Sequence, residues 1–186
     1  MEYIQNNNWV KYTLALLNIS KDKTIHGSLR LHKILFMVSR GVPELLEDDT
    51  YSPHDFGPFS EDVEESVIGF LEMENLLDIE HYDKSTVDYK LTQNGAQIAK
   101  RVFSNMSLEE KDNISRVYNL FDELTSDEIL FIVYFMYPET AKYSRVVENI
   151  NNNKLRLARS IYRKKSLSPQ FLAQISKLKE SDITKN

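Results

Sequence analysis

The chain has 186 residues, 41% hydrophobic and 27% charged, with a net charge of −5. This is ordinary usage for one domain with a real core. It has no cysteine, which excludes disulfides, thiolate nucleophiles and Cys-based zinc sites and fits a reducing compartment. Residues 1–8 lack the basic and apolar regions of a secretory signal, and the longest apolar run, 129–137, falls well short of the ~20 residues of a membrane span. The expectation is a cytoplasmic protein with no membrane anchor.

Trp9, Val10, Thr13, Leu14, Leu16 and Leu17 predict a helix over 9–17, which the polar stretch 20–24 breaks. Leu29, Leu31, Ile34, Leu35 and Val38 predict a second helix over 28–39, ended by Gly41 and Pro43. Residues 44–59, with Pro53, Gly57 and Pro58, are expected to be irregular. Ser60 is placed to cap a third helix, with Glu61 and Asp62 at its positive end and a core stripe of Val63, Val67, Phe70 and Leu71. Glu64, Glu65, Glu72 and Glu74 are then expected on its exposed side. Strands are predicted over 76–81 and 86–91, joined by a turn at 82–85. Thr92 caps a helix over 93–103, buried through Ile98, Ala99 and Val102.

The second half reads as all helix. Ser107 with Glu110 and Thr125 with Glu128 are two capping boxes, the second opening the apolar 129–137 helix. Pro138 stops that helix, Thr140 can cap the next, and Asn151 to Asn153 form a break. Residues 154–164 are basic and amphipathic, and Ser168-Pro169 opens a last helix. The fold class is therefore mainly α with a small β-hairpin (α+β). A winged-helix-like module, 1–105, with its wing tip near Asp83, is followed by a C-terminal helical bundle, 106–186, packed on it and ending in a polar tail, 181–186.

Three segments resemble one family. Leu31-His32-Lys33-Ile34-Leu35-Phe36 resembles its LxKLLF helix. Phe56-Gly57-Pro58-Phe59-Ser60, followed by Leu71 through Leu77, resembles its YGPFS…L…GLI stretch. Tyr134 through Thr140 with Ser144 resembles its YVYxxYPE…S element. In this order they resemble the YwgA-like proteins and the related SocA-like antitoxin (Panacea, or GepA) domain over roughly residues 25–165. The resemblance implies a helical, winged-helix-like domain from toxin–antitoxin, phage or other mobile-element settings. It implies no active site, so no catalytic residue is carried over.

The residues themselves argue the same way. His26, His32, His54 and His81 form no HxxxH or HExxH pair and read as surface or capping residues. His54-Asp55 with Glu47-Asp48-Asp49 is the one cluster suited to a metal-dependent hydrolase, against the plainer reading of a solvated acidic loop. There is no Gly-rich phosphate loop and no GxSxG elbow, so no enzyme and no cofactor are expected. Charge is unevenly spread. Residues 149–186 hold nine Lys and Arg against two Asp and Glu, leaving 14 basic and 26 acidic residues in the first 148. No Lys or Arg lies between Arg40 and Lys84.

The leading expectation is a non-enzymatic regulatory protein, antitoxin-like, that binds a protein partner (a toxin or defence-system component) through an acidic surface including Glu61, Glu64, Glu65 and Glu72. The alternative is a winged-helix DNA-binding transcriptional regulator using the basic C-terminal helices, residues 154–179. There Arg156, Arg159, Arg163 and Lys164 can share one face, and Leu155, Ala158, Ile161 and Tyr162 the other. A homo-oligomer is left open. Tyr134, Phe135 and Tyr137 read as core. Of Tyr51, Phe56 and Phe59, the Pro/Gly-rich connection can leave one exposed.

Overall fold

The structure is a computed structural model that describes residues 2–82 and 86–164. The turn at 83–85, the helix expected from Ser168, the polar tail and the 165–179 part of the basic segment lie outside the described residues. The fold is mostly helical with two small antiparallel sheets.

A short helix α1, Glu2–Asn6, leads into α2, Asn8–Ile19. Asn7 caps α2 by accepting from Val10 N. Leu14, Ala15, Leu16 and Leu17 are wholly buried, so α2 is the hub of the core rather than a surface helix. The expected break at 20–24 holds a 3-10 turn, Lys21–Lys23, and its last residue opens a strand, β1, Thr24–His26. Helix α3, Ser28–Ser39, is buried from Leu31 to Ser39 on every side, the mark of a helix enclosed by its neighbours. Arg30, near its start, caps the end of the later helix α7, Leu108–Phe121: its guanidinium donates to the carbonyls of Phe121 at 2.5 Å and Leu124 at 2.6 Å. A cation on the last carbonyls satisfies acceptors the helix leaves open.

Residues 44–59 are more ordered than expected. Pro43 opens a short helix, α4, Pro43–Glu47, instead of only ending α3, because proline lacks an N–H exactly where a first helical turn has no use for one. Strands β2, Ser52–His54, and β3, Gly57–Phe59, then pair as a hairpin. Gly57 sits at φ +82°, and a Cβ there would lie 2.7 Å from the Tyr134 ring. The position therefore demands glycine twice over, by backbone conformation and by space.

Ser60 makes the expected capping contact, accepting from Val63 N at 3.0 Å. The third predicted helix, α5, follows. It consists of a π-helical segment, Val63–Ile68, running into an α-helical one, Gly69–Met73. The hairpin strands are β4, Leu77–His81, and β5, Val87–Leu91. β1 adds to them, giving the order β1-β5-β4, with Ile25 and Ile79 flanking Tyr89. Thr92 caps α6, Gln93–Asn105, by accepting from Gly95 N. Ala99 is fully buried, while Ile98 and Val102 pack half-buried on the core.

Both capping boxes form, at Ser107–Glu110 opening α7 and at Thr125–Glu128 opening α8, Ser126–Met136. Ile129 to Tyr134 are buried, whereas Phe135 and Tyr137 are half-buried and Met136 is 41% exposed, so only the first part of the apolar run is core. Thr140 does not cap the next helix. Its hydroxyl donates back to Tyr137 O in a 3-10 turn, Pro138–Ala141, and α9, Val147–Asn152, begins later without a side-chain cap. Asn151 and Asn152 fall inside α9, and only Asn153 separates it from α10, Lys154–Lys164. Helices α7 and α8 pack on α3, and α10 on α8. One cluster of buried residues runs from Ile4 to Ile161 through both halves. No helix of the described residues is long and apolar enough to cross a membrane.

Candidate functional site

Two helix faces carry the charged residues singled out by the sequence. The first is α5. Val63, Val67 and Leu71 are wholly buried, whereas Phe70 is only half-buried and its ring meets that of Tyr3 of α1 at a tilt, 4.4 Å between centroids. Glu61, Glu65, Glu72 and Glu74 are exposed.

Glu64 is not a free surface carboxylate. It accepts from His32 Nε2 at 2.9 Å and from the Tyr89 hydroxyl at 3.0 Å. The cause is the π segment. Its wider i→i+5 turns bring Val63, Val67 and Ile68 together onto the core and carry Glu64 to the core's margin. Burial pushes the Glu64 carboxyl up, but the His32 and Tyr89 hydrogen bonds outweigh it and hold it below the usual carboxylate range. Burial pushes His32 down, more than Glu64 pulls it up. The pair is thus an ionised carboxylate bonded to a neutral, Nε2-protonated imidazole. His32 is a core residue packed at a tilt against Phe59, 4.2 Å between ring centroids, not a surface or capping one.

Its neighbour Lys33 is also buried, at 2% exposure. The ammonium donates to Pro58 O at 2.9 Å, and burial pushes it down to about 7. Neither residue was read as special in the sequence. The available signal was their setting: Leu31, Ile34, Leu35, Phe36, Met37 and Val38 surround them, so the helix is apolar all round and any polar group in it must find a partner inside.

The second face is α10. Arg156, Arg159 and Arg163 are exposed and, with Ser160, border one shallow depression of about 330 Å3. Lys164 does not join them. It turns toward α8 and donates to Glu128 Oε2 and to Glu123 O, both at 2.7 Å. The buried stripe is Leu157, Ala158 and Ile161; Leu155 is half-buried and Tyr162 is 48% exposed. Tyr162 follows Ile161 and is rotated roughly 100° around the helix from it, which takes it off the α8 contact.

Two carboxylates of the acidic loop around His54 are held in ion pairs, and its backbone accepts a hydrogen bond. Asp49 pairs with Arg40 at 2.6 Å and Asp55 with Arg145 at 2.7 Å, while Asp48 O accepts from the Trp9 indole. Among the described residues no group of three or more His, Asp or Glu is placed to hold a metal. Of the three aromatics in that connection, Phe56 is the exposed one, and Tyr51 packs between Trp9 and Phe36 at 5.5 Å from each. A comparison of the chain with known protein families, characterised proteins and solved structures finds no match.

Proposed function

We propose that this chain is a non-enzymatic binding protein of the YwgA/SocA-like, antitoxin-like type, whose winged-helix-type module presents an acidic face to a basic protein partner. The addition of β1, which lies between α2 and α3, to the β4–β5 hairpin that follows α5 supports the winged-helix reading. The observation that carries the function is the outward side of α5. Glu61, Asp62, Glu65, Glu72 and Glu74 are exposed there, beside Met73 at 76% exposure. Carboxylates gathered on one side of a helix with no base among them suit a basic partner surface through complementary potentials. Fourteen Asp and Glu and no Lys or Arg lie in residues 41–83, so the local field attracts a basic surface and repels phosphates.

The exposed Arg156, Arg159 and Arg163 favour a second reading, a regulator that holds DNA through α10. One pair of measurements separates the two. Affinity capture of the products of adjacent genes should weaken at least about tenfold when Glu61, Glu65 and Glu72 become Gln, and should weaken with salt. Gel shifts with duplex DNA at two salt concentrations should show no binding that α5 supports. Duplex binding abolished by Arg156→Gln/Arg159→Gln/Arg163→Gln would move the function to α10. Capture indifferent to the three α5 substitutions would sink the acidic-face reading.

A further inference from the structure

A cavity of about 630 Å3 opens between the start of α3, the β2–β3 hairpin and the β1–β5 edge. It is large enough for a small organic molecule. Its walls are mainly apolar, through Leu29, Phe56 and Phe59, and its charged lining groups are Lys33 and Asp88. Helix α3 opens into it at Gly27 and Ser28, and Gly27 offers no side-chain cap. Gly27, lacking a side chain, caps none of the first N–H groups of this 12-residue helix, and these groups carry the positive end of its dipole. Lys33, one turn further along the same face as Leu29, also lines the cavity.

Lys33 is the second, independent feature. It is 2% exposed, yet among the described residues its ammonium has a single hydrogen-bond acceptor, Pro58 O. A buried ammonium with three hydrogens and one acceptor is under-satisfied, and a buried charge of that kind is retained at a cost. The carboxylate lining the cavity, Asp88, is already paired with His26 at 2.7 Å. The other titratable groups facing Lys33's surroundings are His54 on β2 and His32 beside it on α3, the latter committed to Glu64.

The geometry points to a binding site for a small organic anion, a carboxylate head on an apolar body, with the head between Lys33 and the open N-terminus of α3 and the body against Leu29, Phe56 and Phe59. Such a head supplies a further acceptor for Lys33, beyond Pro58 O, and one for the start of α3. It also neutralises the buried cation, so binding favours protonated Lys33. Because burial holds Lys33 at about 7, affinity for an anion must fall as pH rises through neutrality. The site is separate from the acidic face of α5 and stands or falls without it.

The test uses the whole chain, isotope-labelled, titrated with benzoate and with benzamide, its neutral isostere. Benzoate should shift the amides of Gly27, Ser28 and Leu29 saturably, and benzamide at the same concentrations should not. Affinity should drop about tenfold between pH 6 and pH 8.5, where benzoate itself stays ionised. Lys33→Met should abolish the shifts. If that variant does not fold, Leu29→Trp, which fills the cavity while leaving Lys33 in place, must abolish them instead. Equal binding of benzamide, pH-independent binding, binding that survives Leu29→Trp, or no saturable shift at those amides with millimolar benzoate would each overturn the site.

Discussion

Helices α5 and α10 are both amphipathic, both carry a strong charge of one sign on the outside, and each is fixed by one polar clamp, but the clamps differ in depth. The α5 clamp runs through Glu64 to His32, a side chain with 0% exposure, and to Tyr89 on the central strand. The α10 clamp runs from Lys164, 28% exposed, to Glu128 at the start of α8. One binds α5 into the core. The other closes the end of a peripheral helix that buries only Leu157, Ala158 and Ile161. A helix held at its margin can be remodelled or lost with the rest of the domain intact, whereas α5 cannot be displaced without opening the centre.

The largest test of this contrast is at the approach to α5. Gly57→Val should destabilise the whole protein by about 3 kcal/mol or more, because it combines a β-branched residue at φ +82° with a clash on Tyr134. Denaturant unfolding with the melting of every element together is the expected result. Full stability with loss of partner capture would instead make the β2–β3 hairpin a recognition loop.

Lys164→Met should have a smaller and more local effect. It leaves Glu128 Oε2 without its lysine, at a cost of about 1–3 kcal/mol. Hydrogen exchange should speed up in α10 while α2 and α3 stay protected. Uniform loss of protection across the molecule would show that α10 is as integral as α5.

The smallest difference lies in the response to acid. His32 is held below its ordinary value of 6.5 in the folded state, so below that pH the unfolded chain takes up a proton that the folded one refuses. Stability therefore falls as pH drops through this region. Glu64 and Glu128 are held below 4.5; the stability they contribute is present above 4.5 and is lost as pH falls further. Stability thus begins to fall through His32 before the carboxylate of either clamp takes up a proton. His32→Gln should flatten the stability profile between 4.5 and 6.5 and leave the steeper loss below it. An unchanged profile in that variant would mean that His32 is not the group responsible.

Much of the architecture was legible in the sequence because local chemistry decides it. The α3 helix follows from its apolar content between Gly27 and Gly41, and the starts of α6, α7 and α8 follow from Thr92, Ser107 with Glu110, and Thr125 with Glu128, since a cap is a contact between residues three apart. The acidic and basic faces were equally visible, because charge is a property of composition. What the sequence could not decide were contacts between distant residues. β1 exists only because β5, more than 60 positions later, pairs with it. Pro43 and Gly57 read as breakers until Pro43 is seen opening α4 and Gly57 facing Tyr134. Glu64 counted as one more surface acid until the π segment turned it onto His32, and Lys164 as a fourth base on the arginine face until Glu128 claimed it. Glu64 and Lys164 take the partners that packing brings to them, because an enclosed polar group left unsatisfied costs more than any local preference of the chain, while β1, Pro43 and Gly57 are decided by backbone pairing and space that no local window contains.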